Sequence, residues 1–286
     1  MRKWPTIRLP VGSVRIGLSK TGIAVLRTGG RRRTVVLADQ ALAEAAVSVP
    51  ERLATQCRII LNDSACRGLP LRVTLADNWA RLFVVTPPHN SARLDDCQAA
   101  ASMRFQALYG TVLDEWQLEA DWDARHPFLA CAVPRTLICA LQQIAQENQL
   151  HLVDVAPQFV RMWNRWHKTL RNGSWFGIVQ DRTLVLAAIA QQRLCAVRAT
   201  AVPVDGDARS WLQQQVMREA LRLNLPLPKQ LQLCGDQARY WVSADPSDEV
   251  FNCFNLEDTS NIRDDNAVSN HALTPEVALA RSGMRS

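Results

Sequence analysis

Gly17, Ser19, Lys20 and Gly22 fall in one short turn between two apolar runs, Val14–Leu18 and Ile23–Leu26. Glycines let backbone amides come close to a ligand, while the serine and lysine add a hydroxyl and a charge, so the chemistry on offer is phosphate binding. The overlapping stretch Gly12–Ser19 imitates a P-loop, but Leu18 stands where that motif needs lysine. The alternation of Val14, Ile16 and Leu18 marks a strand instead. Other chemistries lack their residues. Eight cysteines include no C-x-x-C pair, five histidines are scattered, and neither H-E-x-x-H nor G-x-S-x-G occurs. No metal site and no nucleophile dyad is therefore expected. Asp121 and Asp123 flank Trp122 on a strand and read as a solvated face, and Asp95-Asp96 reads as helix-dipole compensation.

Charge is unevenly placed. The chain carries +6 overall, and its first 38 residues hold nine basic residues and no acidic one. Arg31, Arg32 and Arg33 follow Gly29-Gly30, as at a hairpin tip. They suit either a solvated turn or an anionic partner, such as a membrane surface or nucleic acid. No nucleic-acid-binding motif accompanies them, which favours the membrane surface. Prolines at 5 and 10 break any leader-like apolar core, and no apolar run approaches the roughly 20 residues of a membrane span. The cysteines then read as reduced core residues of a cytoplasmic protein.

These residues must be held by a mixed α/β chain. The pattern Val14–Arg27 returns as Phe176–Arg198: apolar run, polar turn, apolar run, exit through arginine. That repeat predicts two related lobes, 1–170 and 171–286. Strands are expected at Ile7–Leu18, Ile23–Leu26, Thr34–Leu37, Cys57–Leu61, Leu69–Leu75, Trp79–Val85, Trp116–Trp122, Phe128–Val133, Leu150–Val155 and Leu231–Cys234. Helices are expected from Asp39 to Val47, from Ser91 to Gly110, over Arg135–Gln149, Gln158–Leu170 and Asp207–Leu223. Residues 79–155 read β-α-β-β-α-β, an inserted subdomain. The pattern fades after Pro246, and 246–272 reads as partly disordered. Val277–Ala280 is a short apolar segment near the end.

The order of segments, with three local patterns, resembles the actin-like (ribonuclease H-like) family that includes the cytoplasmic type IV pilus assembly protein PilM and the cytoplasmic domain of the type II secretion protein GspL. Val14-Arg15-Ile16-Gly17-Leu18-Ser19 fits that family's first hairpin, except that Arg15 stands where an aspartate is expected. Leu82–Pro87, the helix 91–109, Leu113–Asp123 and Ala130–Arg135 look like its inserted subdomain. The hairpin from Ile178, the strand Leu231–Gly235 and Ala278–Gly283 look like its second phosphate loop, adenosine-side glycine turn and closing helix.

The resemblance implies an ATP site built from Gly17, Ser19, Lys20, Gly22 and Gly235. It also implies that the site is degenerate. Arg15 replaces one magnesium-holding acid, Val179-Gln180 replaces an Asp-Gly, and Cys234-Gly235-Asp236 replaces a double glycine. The expectation is a pseudo-ATPase with no cofactor. Its role would be a scaffold at the inner membrane that binds the cytoplasmic tail of a membrane assembly protein and contacts an assembly ATPase. The tail would lie as an extended peptide near Arg72, Trp79, Arg81 and Phe83, with Arg31–Arg33 toward the membrane. Two other readings stay open: an actin-like ATP-binding protein with weak ATPase activity, and a nucleic-acid-binding protein using its basic N-terminal region.

Overall fold

The computed structural model describes residues 12–29, 34–42, 53, 57, 59–61, 66–89, 93–180, 182–203, 207–235, 241, 252–256 and 274–282. In chain order the elements are β1 (Gly12–Leu18), β2 (Gly22–Gly29), β3 (Thr34–Ala41), β4 (Pro70–Leu75), β5 (Arg81–Val85), α1 (Leu94–Tyr109), β6 (Trp116–Ala120), β7 (Phe128–Pro134), α2 (Arg135–Glu147), β8 (His151–Pro157), α3 (Gln158–Trp166), β9 (Ser174–Gln180), β10 (Thr183–Ala190), β11 (Arg193–Ala201), α4 (Ala208–Leu223), β12 (Gln230–Cys234), β13 (Asn252–Asn255) and α5 (Pro275–Arg281). Among the described residues, no helix is long and apolar enough to cross a membrane.

Two compact units result. The first draws on Met1–Leu75, Thr136–Ala156 and Asn266–Arg281; the second takes Ala76–Arg135, Pro157–Asp265 and Ser282–Ser286. This division differs from the expected lobes 1–170 and 171–286, because residues 76–135 join the unit that carries the second sheet.

The first unit is a five-stranded sheet in the order β3-β2-β1-β4-β8. Strand alternation explains its core: Val14, Ile16 and Leu18 turn to one face of β1 and are fully buried. Register pairs Arg15 with Leu26 and Gly17 with Ala24, so these four share the opposite face. There α5 packs, with Val277 and Ala280 against Ala24 and Leu26. In α2, Leu137, Leu141, Ile144 and Ala145 are the buried stripe, at helical spacing.

In the second unit, a five-stranded sheet has the order β11-β10-β9-β12-β13. Counted within each sheet, both orders are 3-2-1-4-5, with the first strand antiparallel to the second and parallel to the fourth. The repeat seen in the sequence is therefore real at the level of whole sheets. It was drawn too long in its second copy. Residues 176–198 reach into three strands, β9, β10 and β11, so the equivalent of β1–β2 is β9–β10 alone. Helix α4 covers this sheet with Leu212, Val216 and Ala220, and Asp207 caps it by accepting hydrogen bonds from the Arg209 and Ser210 amides at 3.0 and 3.2 Å. A separate three-stranded sheet, β5-β7-β6, packs Phe83, Val85, Phe128, Ala130 and Ala132 against Cys97, Ala101 and Phe105 of α1.

Several expectations are corrected. The inserted block is β-α-β-β, because β8 joins the first unit's sheet beside β4 and α2 goes with it. Asp39 caps no helix; it lies inside β3, and residues 43–50 are outside the described ones. Cys57, Ile59 and Ile60 are helical, with the Leu61 amide donating to the Cys57 carbonyl at 2.8 Å. Trp79 closes a 3-10 turn, Asp77–Trp79, ahead of β5. The residue preceding α1 is Arg93, while Ser91 lies outside the described residues, as do Arg31–Arg33 and 257–273. The strand β13 had no counterpart in the sequence reading.

Candidate functional site

The phosphate-binding expectation rests on two hairpin turns, β1–β2 and β9–β10. In the first, Ser19 is fully buried and organises the turn: its Oγ accepts from the Thr21 amide at 3.0 Å and the Gly22 amide at 2.8 Å. Its own proton goes to Oε1 of Glu276, at 2.6 Å. Glu276 sits in the first turn of α5 and is itself buried. The two glycines face the same helix. A Cβ on Gly17 would lie 2.0 Å from the Glu276 carbonyl oxygen and 2.6 Å from the Ala280 nitrogen, and one on Gly22 would lie 2.7 Å from the Glu276 carboxylate. Gly17 and Gly22 thus admit α5 and its acid. Lys20 projects from the turn as an exposed residue. A carboxylate that already takes the serine proton repels a phosphate from this turn.

In the second unit, β9 ends in Val179-Gln180, both buried. Gly235 has φ +109, and a Cβ there would meet the Val179 carbonyl oxygen at 2.3 Å. Only glycine suits that crossing of β12 past the end of β9. Ala76, Asp77, Asn78, Gln180 and Thr183 line a small cavity of about 10 Å³, room for one water. Asp77 is 6% exposed, and its Oδ1 accepts from the Phe159 amide at the start of α3, at 2.8 Å. Burial pushes the Asp77 carboxyl up to about 7, and the Phe159 amide offsets only part of this. Asp77 is not among the residues expected at a site, because a single aspartate between two strands carries no motif and its burial comes from packing in the folded chain.

The four residues expected to hold a peptide divide between the two units. Arg72, on β4 in the first unit, is ion-paired with Asp154 of β8. Trp79 and Arg81 belong to the second unit, where the exposed Arg81 guanidinium lies over the Tyr109 ring at 5.4 Å and the Trp116 ring at 5.7 Å. Phe83 cannot serve as a surface contact. It is 2% exposed and packs 5.9 Å from Phe105 of α1, on the same face of β5 as Arg81 but within the core.

No family model and no curated protein matches the chain. Solved structures do. One is a protein from Bacteroides thetaiotaomicron VPI-5482 with an actin-like ATPase fold and unknown function (TM-score 0.55, 10% identity, 82% of this chain and 86% of that one). Another belongs to a PilM–PilN type IV pilus biogenesis complex (TM-score 0.53, 13% identity, 79% and 82%). A third is the cytoplasmic domain of EpsL, an inner-membrane component of the type II secretion system of Vibrio cholerae (TM-score 0.50, 12% identity, 78% and 81%). The fold is actin-like, and two sheets of identical strand order accord with it.

Proposed function

We propose that this chain is a non-catalytic, cytoplasmic scaffold of a type IV pilus or type II secretion-like assembly platform. It would sit at the inner membrane and bind the cytoplasmic tail of a membrane partner. The observation that carries the reading is the β1–β2 turn. There the Glu276 carboxylate and the backbone of α5 occupy the space in which the glycines and Ser19 would otherwise meet a phosphate. Likeness of fold to PilM and EpsL supports the same reading. We read a first turn filled by the chain's own helix as a fold kept for binding other chains. Of the residues expected at the partner, Arg81 has the exposure such a contact needs. The test is calorimetric titration with ATP and Mg²⁺ to millimolar concentration, alongside a hydrolysis assay. We expect no saturable heat and no turnover. Saturable binding with turnover would replace the scaffold by the weak-ATPase alternative.

A further inference from the structure

The sheet β5-β7-β6 ends at β6, which has β7 on one side and, among the described residues, no strand on the other. Register and one hydrogen bond fix which backbone groups face outward. The Asp121 amide donates to the Leu129 carbonyl at 3.1 Å, so this antiparallel pair exchanges backbone bonds. Bonded and non-bonded pairs alternate. Gln117–Val133 and Glu119–Cys131 are therefore bonded pairs, and Leu118 and Ala120 turn their N–H and C=O away from β7. Pro134, which has no N–H, falls opposite Trp116 in a non-bonded pair, as the alternation requires. The outward carbonyl of Trp116 is already taken by Arg135 at 3.1 Å. Leu118 and Ala120 together thus offer two donors and two acceptors to a further strand. Their side chains pack toward the α1 core, which holds the edge rigid.

Within the segment 114–123 the charge has one sign, while Arg81 and Arg135 sit at the Trp116 end. Asp114, Glu115, Glu119, Asp121 and Asp123 lie between 114 and 123 with no basic residue among them. Asp114, Glu115, Glu119 and Asp121 are exposed. Asp123 is held by the Arg125 amide and by His126, and Arg135 bounds the other end. We propose that the β6 edge accepts an extended, Lys/Arg-rich peptide as an added strand. Backbone groups of Leu118 and Ala120 supply the ladder, and the flanking acids select for positive charge. This rests on the scaffold reading for its source of peptide, because cytoplasmic segments next to membrane spans carry an excess of Lys and Arg.

The probe is a fluorescein-labelled peptide of alternating lysine and valine, followed by anisotropy on the full chain. We expect saturable binding that weakens roughly tenfold when alternate peptide amides are N-methylated, since two backbone bonds are then lost. Raising salt, or the surface changes Glu115→Lys with Glu119→Lys, lowers affinity by a similar factor. Hydrogen exchange at the Leu118 and Ala120 amides slows with probe bound. No binding at millimolar probe, equal binding of the N-methylated peptide, or protection that appears elsewhere overturns the proposal. The first of these would mean that the acids only keep sheet edges apart. Co-fractionation of the unaltered protein with inner membranes tests the scaffold reading separately: if it persists while the probe fails, only the edge assignment falls.

Discussion

Replacing Asp77 by asparagine is expected to stabilise this protein above neutral pH and to do almost nothing at acidic pH. The carboxyl ordinarily loses its proton near 3.8 and in the folded chain near about 7, because burial penalises its charged form. Between those values the folded state binds more protons than the unfolded state, so stability falls as pH rises through the window and levels off above it. The difference of about three pH units corresponds to about 4 kcal/mol at most, at 1.36 kcal/mol per unit. Asp77→Asn keeps an oxygen for the Phe159 amide, which the wild-type Oδ1 satisfies at 2.8 Å, and removes the ionisation. Urea unfolding of both proteins at about pH 3.5, below the window, and about pH 8.5, above it, reads the effect. The variant should match wild type at the lower pH and gain by a few kcal/mol at the higher. An equal difference at both pH values would refute the reasoning, because Asp77 would then be charged and paid for in both, or neutral in both.

Gly17→Ala forces a Cβ to within 2.0 Å of the Glu276 carbonyl and 2.6 Å of the Ala280 nitrogen, both backbone atoms of α5. Overpacking of this kind costs about 1–3 kcal/mol, and hydrogen exchange should show α5 opening first. Glu276→Ala removes the acceptor of the buried Ser19 hydroxyl; a loss of roughly 1–3 kcal/mol in urea is expected, with an unchanged midpoint as the contrary result. Phe83→Ala should cost about 3–5 kcal/mol, as for a core aromatic, whereas Arg81→Ala should leave the midpoint within roughly 1 kcal/mol.

What the sequence made legible follows from the range of the interactions involved. Alternation over β1 and the apolar stripe and Asp207 cap of α4 are local patterns, and both elements form where those patterns place them. Cys57–Leu61 was misread because its apolar run is too short for a period of two to be told from 3.6. The strand β13, Asn-Cys-Phe-Asn, buries Cys253 and Asn255 in a run of four too short to read, and parallel pairing with β12 makes it a strand. The inserted block was misdrawn for a related reason. Helix α2 and strand β8 look like a continuation of α1-β6-β7, and only pairing beside β4 assigns β8 to the other unit.

The first hairpin turn carries the deeper lesson. A glycine marks a place where something comes close, and it does not say what. Gly17 and Gly22 have the spacing of a phosphate cradle, and in the sequence the only visible argument against that role is Arg15 beside them. The group that comes close is Glu276, 257 residues from Ser19 in the chain, in a helix whose seven residues give little periodicity to read. Close approach by an α5 carboxylate and close approach by a phosphate ask for the same small residues. They differ in sign of effect on an added acid: the hydroxyl that would have faced a phosphate oxygen already donates to a carboxylate oxygen. On the proposed scaffold reading, Arg15 in place of an acid and a turn filled by Glu276 belong together, since a turn closed by its own chain's acid asks for no cation to hold a second anion there.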